Sequence, residues 1–159
     1  MKILKLYLFA LILGTGLIIT GCDDDENPVD PGPGASASGK FTLNGAGYTN
    51  QQVNIISGGV VYDSGTDETA VSLYGFFDND TTVVTILFDG NSTVTDSSSY
   101  IQFRKSLSLI YSSLDGITNI TSYGNVGSNV SGNFEGILTL ASLTDTVSIT
   151  GNFSARRIE

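Results

Sequence analysis

Apolar and polar residues alternate with a period of two along most of the chain from Lys40 to Glu159. Because successive side chains of an extended strand point to opposite faces, this alternation predicts β-strands with one buried and one solvent-facing side. Gly, Asn, Asp and Ser interrupt the alternation at short intervals, as is typical of turns. The predicted strands are residues 40–45, 50–57, 59–63, 68–77, 81–89, 99–104, 106–112, 116–123, 128–141 and 145–157.

No part of this region shows the 3.6-residue period of an amphipathic helix, and all three prolines precede it. We therefore predict one all-β domain over residues 40–159, an antiparallel β-sandwich or a flattened β-barrel of about 8–10 strands. Residues 82–88, TVVTILF, are apolar on both faces. This predicts a central strand that is covered on both sides.

The last two strands predict an antiparallel hairpin around residues 142–145, SLTD. Their apolar and glycine positions then share one face, and we expect this to fix the register of the two strands. The predicted partners are Leu140 with Val147, Leu138 with Ile149, Gly136 with Gly151, and Phe134 with Phe153. The tripeptide GNF occurs at 132–134 and 151–153, and its glycines predict bends that curve the sheet around the phenylalanines.

Residues 1–21 combine a positive start, at Lys2 and Lys5, with an apolar run over 6–19 and a small pair, Thr20-Gly21. This arrangement predicts a secretory signal peptide. The alternative, a membrane-spanning anchor, needs about 20 apolar residues. The run here is shorter and no positive cluster follows it.

Residues 18–22, IITGC, resemble the bacterial lipobox, in which an aliphatic residue stands three positions before a cysteine that follows a small residue. Position 19 is Ile, where Leu is commoner. The resemblance implies that the thiol of Cys22 carries a diacylglycerol and that cleavage leaves Cys22 as the first residue. Cys22 is the only cysteine of the chain, so it has no partner for an intrachain disulfide.

Four acidic residues, Asp23, Asp24, Asp25 and Glu26, directly follow Cys22. A solvated charge run would keep the tether extended. The run also resembles the acidic signal that sends lipoproteins of one group of Gram-negative bacteria to the cell surface. In enteric-type sorting, an aspartate at this position instead implies retention in the inner membrane. We expect an outer-membrane protein at the cell surface, with the periplasmic face of either membrane as the alternative.

A flexible linker is predicted over residues 22–39, which include the lipidated cysteine, the acidic run and all three prolines. At the other end of the chain, ITSY at 120–123, SGNF at 131–134 and VSITGNF at 147–153 resemble the final strands of several uncharacterised lipoprotein β-domain families. This resemblance implies a β-fold and an envelope location, and it carries no known active residues.

The chain has no histidine and no cysteine besides Cys22. This excludes Ser-His-Asp and Cys-His catalysis and the common imidazole or thiolate metal sites, so we expect a non-enzymatic protein without a cofactor. Loss of Lys2 and Lys5 with the signal peptide moves the formal charge from −9 to −11. Such a charge repels phosphate, and we expect no nucleic-acid partner.

Two groups of carboxylates remain, and both fall in predicted turns. Turn formation is the first explanation, because Asp is favoured in turns for backbone reasons. A calcium site or a glycosidase-type pair are the alternatives, although the spacing is not that of an EF-hand. The residues are Asp63, Asp67 and Glu68 in one group and Asp78 and Asp80 in the other.

Tyr74 and Tyr100 alternate out of phase with the core residues Leu73 and Ile101. They are therefore the first candidates for exposed rings that stack on a sugar or fill an interface. The sequence thus predicts a lipid-anchored envelope domain that binds a glycan or an envelope protein. The alternatives are a structural envelope lipoprotein without a discrete ligand and a carrier of a small apolar ligand in a barrel cavity.

Overall fold

The computed structural model describes residues 36–106, 109–140, 142 and 145–159. Cys22 and the acidic residues 23–26, with the predicted signal peptide and most of the linker, lie outside the described residues. Within the described part, no helix is long and apolar enough to cross a membrane. The strands there are β1 (Ala37–Gly45), β2 (Tyr48–Asp63), β3 (Glu68–Phe77), β4 (Asp80–Asp89), β5 (Thr95–Arg104), β6 (Ile110–Tyr123), β7 (Asn129–Leu140) and β8 (Thr146–Arg156).

Each strand pairs antiparallel with the next, and β1 also pairs with β8, so the sheet closes into a barrel. The closing ladder runs from Ala37 opposite Ala155 to Asn44 opposite Ser148. Because residues 37–39 take part in it, β1 begins earlier than the predicted strand. The all-β antiparallel prediction is confirmed, and closure gives every strand two hydrogen-bonded neighbours.

Ten strands were predicted, whereas eight are found in the described residues, because β2 and β6 each combine two predicted strands. The register of β2 against β3 shifts between Ile55 and Ser57. That of β6 against β7 shifts between Ser112 and Ile117. Such irregularities bend a strand and increase its twist without ending it. The sequence predicted breaks at these places because glycine and polar residues interrupt the alternation there.

The inward side chains of all the strands form one apolar core. Phe41 of β1 and Phe103 of β5 lie on strands separated by half the circumference of the barrel. Their ring centroids are nevertheless 6.0 Å apart. The side chains thus meet across the axis, as expected for an eight-stranded barrel whose interior is just wide enough to be filled by side chains.

Strand β4 contains the doubly apolar segment TVVTILF, and the structure corrects the expectation that it is covered on both sides. Val84, Ile86 and Phe88 point into the core and are at most 1% exposed. Val83 and Leu87 lie on the outer wall and are only half-buried. The reason is that the barrel is a single closed sheet, so no second layer covers its outer face.

The β7–β8 hairpin forms as predicted, but its register differs by two residues from the predicted one. Leu138 faces Val147 and Gly136 faces Ile149. In consequence Phe134 lies opposite Gly151, and Phe153 lies opposite Gly132. A shift of two residues keeps every side chain on its face, and it places each ring opposite a glycine instead of opposite the other ring.

Both ends of the described domain lie at the same end of the barrel, which we call the lower end. β1 starts there and β8 finishes there, and the Arg156 amide donates to the Ser36 carbonyl at 3.2 Å. The residues after β8 continue along β2, where the Ile158 amide donates to the Val60 carbonyl at 2.8 Å. The opposite, upper end carries the β1–β2, β3–β4, β5–β6 and β7–β8 connections.

Candidate functional site

Tyr74 of β3 and Tyr100 of β5 lie on the outer wall, one on each side of β4. Leu73 and Ile101, their chain neighbours, are 0% exposed. Because side chains alternate between the faces of a strand, the tyrosines must point outward. Both are half-buried rather than fully exposed, since other outward side chains of the barrel wall flank them.

Three cross-strand rows bring these tyrosines into one surface on β3, β4 and β5. We call this surface the tyrosine face. Each outer row contains a tyrosine and an aliphatic side chain, one of them also contains Arg104, and the row between them is polar. The rows are Tyr74–Val83–Arg104, Ser72–Thr85–Gln102 and Ala70–Leu87–Tyr100.

Polar side chains lie between the two rings of the tyrosine face, and one of them bonds to Tyr100. The Gln102 side-chain amide donates a hydrogen bond of 2.8 Å to the Tyr100 hydroxyl. Tyr74 and Tyr100 stand two strands and four residues apart, which places their Cα atoms about 16 Å from each other. Between them, hydroxyl and amide groups can donate and accept hydrogen bonds.

Two large apolar side chains extend the tyrosine face towards the upper end. Ile56 of β2 is 57% exposed and Phe76 of β3 is 56% exposed. Phe76 stands two residues after Tyr74 on β3, so its side chain points to the same outer face. The alternation in the sequence already indicated this. Ile56 follows the buried Ile55 and points outward, but the sequence alone did not show which of these two adjacent isoleucines faces the core.

A basic residue lies where the tyrosine face meets the upper end. Lys105 follows Arg104 and forms an ion pair of 2.9 Å with Asp78. Its Nζ also lies 4.5 Å from the centre of the Phe77 ring. The hydrogen bond that the Lys105 ammonium donates to Asp78 raises the pKa of Lys105 above its usual value, so Lys105 stays cationic at neutral pH.

The tyrosine face therefore offers aromatic rings, apolar surface, hydroxyls, a side-chain amide and a guanidinium. These groups suit non-covalent recognition of a ligand that has both apolar faces and hydroxyl groups. The chain matches none of the protein-family models, curated proteins or solved structures with which it was compared. What the face binds must be inferred from its own residues.

The two predicted carboxylate groups lie at opposite ends of the barrel. Asp63, Asp67 and Glu68 surround the β2–β3 turn at the lower end, whereas Asp78 and Asp80 flank the β3–β4 turn at the upper end. The length of β3 separates the groups by about 30 Å. Among the described residues, no group of three or more His, Cys, Asp or Glu is arranged to hold a metal ion.

Three of these carboxylates have partners or backbone conformations in the turns. Asp63 Oδ1 accepts a hydrogen bond of 2.8 Å from the Gly65 amide. Asp67 has a positive φ of 56° and accepts a hydrogen bond of 2.8 Å from the Tyr62 hydroxyl. This bond is the largest cause of the raised pKa of Tyr62. Asp78 also has a positive φ, of 51°, and pairs with Lys105.

Arg157 contacts two tyrosines at the lower end of the barrel, an arrangement that the sequence did not predict. Its guanidinium carbon lies 5.2 Å from the ring centre of Tyr123 and 5.7 Å from that of Tyr62. The Tyr123 hydroxyl lies 2.8 Å from the Thr69 hydroxyl. This cluster packs the residues after β8 against the lower end.

Proposed function

We propose that this chain is a lipid-anchored cell-envelope protein whose barrel binds a carbohydrate chain through the tyrosine face. The observation that carries this proposal is the placement of Tyr74 and Tyr100 on one outer surface, with hydroxyl and amide side chains in the row between them. Sugar rings present apolar C–H faces that stack on aromatic rings, and hydroxyls that exchange hydrogen bonds with side chains such as Gln102.

The position of the face on the barrel supports binding away from the membrane. The chain enters β1 at the lower end, so a tether from Cys22 would join the barrel there. Tyr74, Phe76 and Ile56 lie towards the upper end. The point where the linker joins the barrel and these side chains therefore lie at different ends of the barrel.

The proposed anchor rests on the resemblance of residues 18–22 to the lipobox. Acyl chains contribute about 0.8 kcal/mol for each buried methylene, and two or more chains anchor a protein stably. The acidic residues 23–26 favour the outer leaflet of the outer membrane as the location. There the tyrosine face would meet extracellular or envelope polysaccharides.

The two alternative functions receive less support from the geometry. A carrier needs an internal cavity, whereas Phe41 and Phe103 contact each other across the barrel axis. A structural envelope protein without a ligand needs only a polar, hydrated surface. Ile56 and Phe76 are instead both more than half exposed. Their exposed surface lies beside Tyr74, and we include it in the proposed binding face.

A glycan array probed with the full-length chain in detergent tests the proposal. We expect binding to a polysaccharide, and a loss of about tenfold in affinity for Tyr74→Ala and for Tyr100→Ala. Tyr62→Ala, which removes a tyrosine from the lower end, is the matched control and should bind like the parent. A blank array, or binding that both face variants retain, would overturn carbohydrate recognition at this face.

A further inference from the structure

Arg104 is the basic residue of the tyrosine face. It stands in one row with Tyr74 and Val83, at the last position of β5. Arg104 is half-buried, and no carboxylate of the described residues forms an ion pair or a hydrogen bond with its guanidinium. The guanidinium is therefore available for an anionic group from outside the chain.

The carboxylates at the upper end of the barrel belong to Lys105, the chain neighbour of Arg104. Asp78 forms the ion pair of 2.9 Å with the Lys105 ammonium. The hydrogen bond to Asp78 is the largest cause of the raised pKa of Lys105, and the charge of Asp80 adds to it. The two neighbouring cations thus differ, because Lys105 has its counter-ion within the chain.

Two acidic residues lie directly beyond the lower edge of the tyrosine face. Glu68 faces Asp89 in the outward row that follows Ala70–Leu87–Tyr100. None of the three rows of the face itself contains a carboxylate. The pairing of β4 with both neighbours has no register shift here, so the rows can be counted directly. The face has a cation in its upper row and two carboxylates next to its lower row.

The charges at the two edges of the face act locally. The row of Arg104 and the row of Glu68 and Asp89 are six residues apart along the strands, which corresponds to about 20 Å. At physiological ionic strength the Debye length is about 8 Å. Repulsion by the carboxylates at the lower edge is therefore largely screened at Arg104, although the chain as a whole is acidic.

Arg104 and Tyr74 suit different parts of one acidic sugar. The planar guanidinium of arginine can donate two parallel hydrogen bonds to a carboxylate. The ring of Tyr74 can stack on the apolar face of a sugar ring. The two residues stand two strands apart, about 10 Å between Cα atoms, and the shorter side chain of Val83 lies between them. A uronate, a sugar that carries a carboxylate, presents both of the groups that this row can bind.

We infer that the tyrosine face recognises an acidic heteropolysaccharide, with a uronate at Tyr74 and Arg104 and an uncharged sugar at Tyr100. This inference rests on the proposed carbohydrate binding and names the class of ligand. Glu68 and Asp89 disfavour a second uronate at Tyr100, because like charges placed side by side repel. A polymer with a carboxylate on every sugar is therefore the poorer ligand.

Three polysaccharides and their uncharged counterparts test the inference on the full-length chain in detergent. Hyaluronan and unsulfated chondroitin alternate glucuronate with an uncharged N-acetylhexosamine, whereas polymannuronate has a carboxylate on every sugar. Reduction of the carboxyl groups converts each polymer into an uncharged one with the same linkages. We expect an alternating polymer to bind about tenfold more tightly than its reduced form, and more tightly than polymannuronate.

Variants assign this preference to Arg104. With Arg104→Gln, the acidic and the reduced form of the same polymer should bind alike. Lys40→Gln removes an exposed cation from β1, outside the face, and should keep the preference of the parent. Tyr74→Ala should weaken the binding of both forms, because it removes the stacking surface and leaves the guanidinium in place.

The outcomes separate this inference from the proposed function. Equal binding of acidic and reduced polymers by the parent, a preference that survives in Arg104→Gln, or equal binding of polymannuronate would overturn the inference. So would binding of neutral glycans alone, and in each of these cases carbohydrate binding that depends on Tyr74 would stand. A chain that bound no polysaccharide at all would overturn the proposed function as well.

Discussion

Phe134 lies directly opposite Gly151 across the β7–β8 ladder. A Cβ atom at Gly151 would lie 2.5 Å from Phe134 Cζ and 2.8 Å from Phe41 Cβ. Phe153 faces Gly132 in the same way, and the two rings lie 6.3 Å apart between centroids. Gly151 thus leaves the space that the Phe134 ring fills, whereas a Cβ atom at Gly132 would lie nearest to the Asn119 carbonyl oxygen, at 2.6 Å.

Gly151→Ala should destabilise the barrel because its new methyl group collides with these two aromatic side chains. We expect the free energy of unfolding to fall by about 1–3 kcal/mol, the usual cost of overpacking a core. Gly136→Ala is the matched control on the same hairpin, because its Cβ would meet its nearest atoms at 3.5–3.6 Å. Chemical denaturation of both variants checks this, and equal losses would contradict the packing role of Gly151.

This hairpin shows how far alternation determines the fold. The period of two assigns each side chain to the inside or the outside, as at Leu73 and Tyr74. It cannot distinguish registers that differ by two residues, because both keep the same faces. The choice here depends on volume, since a ring fits opposite a glycine, and alternation carries no information about volume across the ladder.

The residues of the candidate site also divide into those that alternation predicts and those that it does not. Tyr74 and Tyr100 could be predicted because each adjoins a clear core residue, Leu73 or Ile101, and both strands pair regularly with β4. Ile56 could not, because it directly follows another isoleucine, the buried Ile55, beside a shift in the pairing with β3. A bulge changes which side chains share a surface, and the glycine and polar residues found there predict the end of a strand as readily as a bulge.

Thr118→Val should stabilise the protein. The Thr118 hydroxyl is buried, at 0% residue exposure, and has no hydrogen-bond partner among the described residues. A buried hydroxyl without a partner is costly, so an isosteric methyl group should raise the free energy of unfolding by about 1 kcal/mol. Thermal and chemical unfolding measure the change.

Thr69→Val is the matched substitution with the opposite expected sign. The Thr69 hydroxyl is equally buried, but it donates to the Gly90 carbonyl at 2.6 Å and lies 2.8 Å from the Tyr123 hydroxyl. Its loss should lower the free energy of unfolding by about 1–3 kcal/mol, because partners are left unsatisfied. If Thr69→Val stabilised the barrel as much as Thr118→Val, that result would contradict a stabilising role for the hydrogen bonds of the Thr69 hydroxyl.

Stability should fall in acid partly through Asp96, which lies at the start of β5. Partial burial raises the pKa of this carboxyl, but hydrogen bonds from the Ser98 amide and hydroxyl and from the Asp89 amide outweigh burial, and the net pKa is lowered. The two bonds from Ser98 measure 2.8 and 2.9 Å. Since the folded pKa lies below the unfolded one, the stabilisation is present above pH 3.8 and is lost as the pH falls through the folded pKa.

Asp96→Asn tests this pH dependence. At neutral pH the variant should unfold more easily than the parent, by up to about 1 kcal/mol, and the difference should shrink on going from about pH 5 to about pH 2. Asp80→Asn, at an exposed turn, controls for the removal of one negative charge. A difference between parent and Asp96→Asn that stayed constant over this pH range would exclude Asp96 as the titrating group.

Protease treatment of intact cells should release the barrel if the acidic run after Cys22 directs surface export. The protease should cut the predicted linker rather than the closed barrel, which offers few open strand edges. An antibody to β8 should then detect the barrel in the supernatant instead of on the cells.

Replacing residues 23–26 with Asn and Gln should protect the barrel from the protease until the outer membrane is broken. Cys22→Ser should abolish membrane attachment altogether. If the unaltered chain is protected in intact cells, the barrel faces the periplasm, and its ligands must be sought among components of the envelope interior.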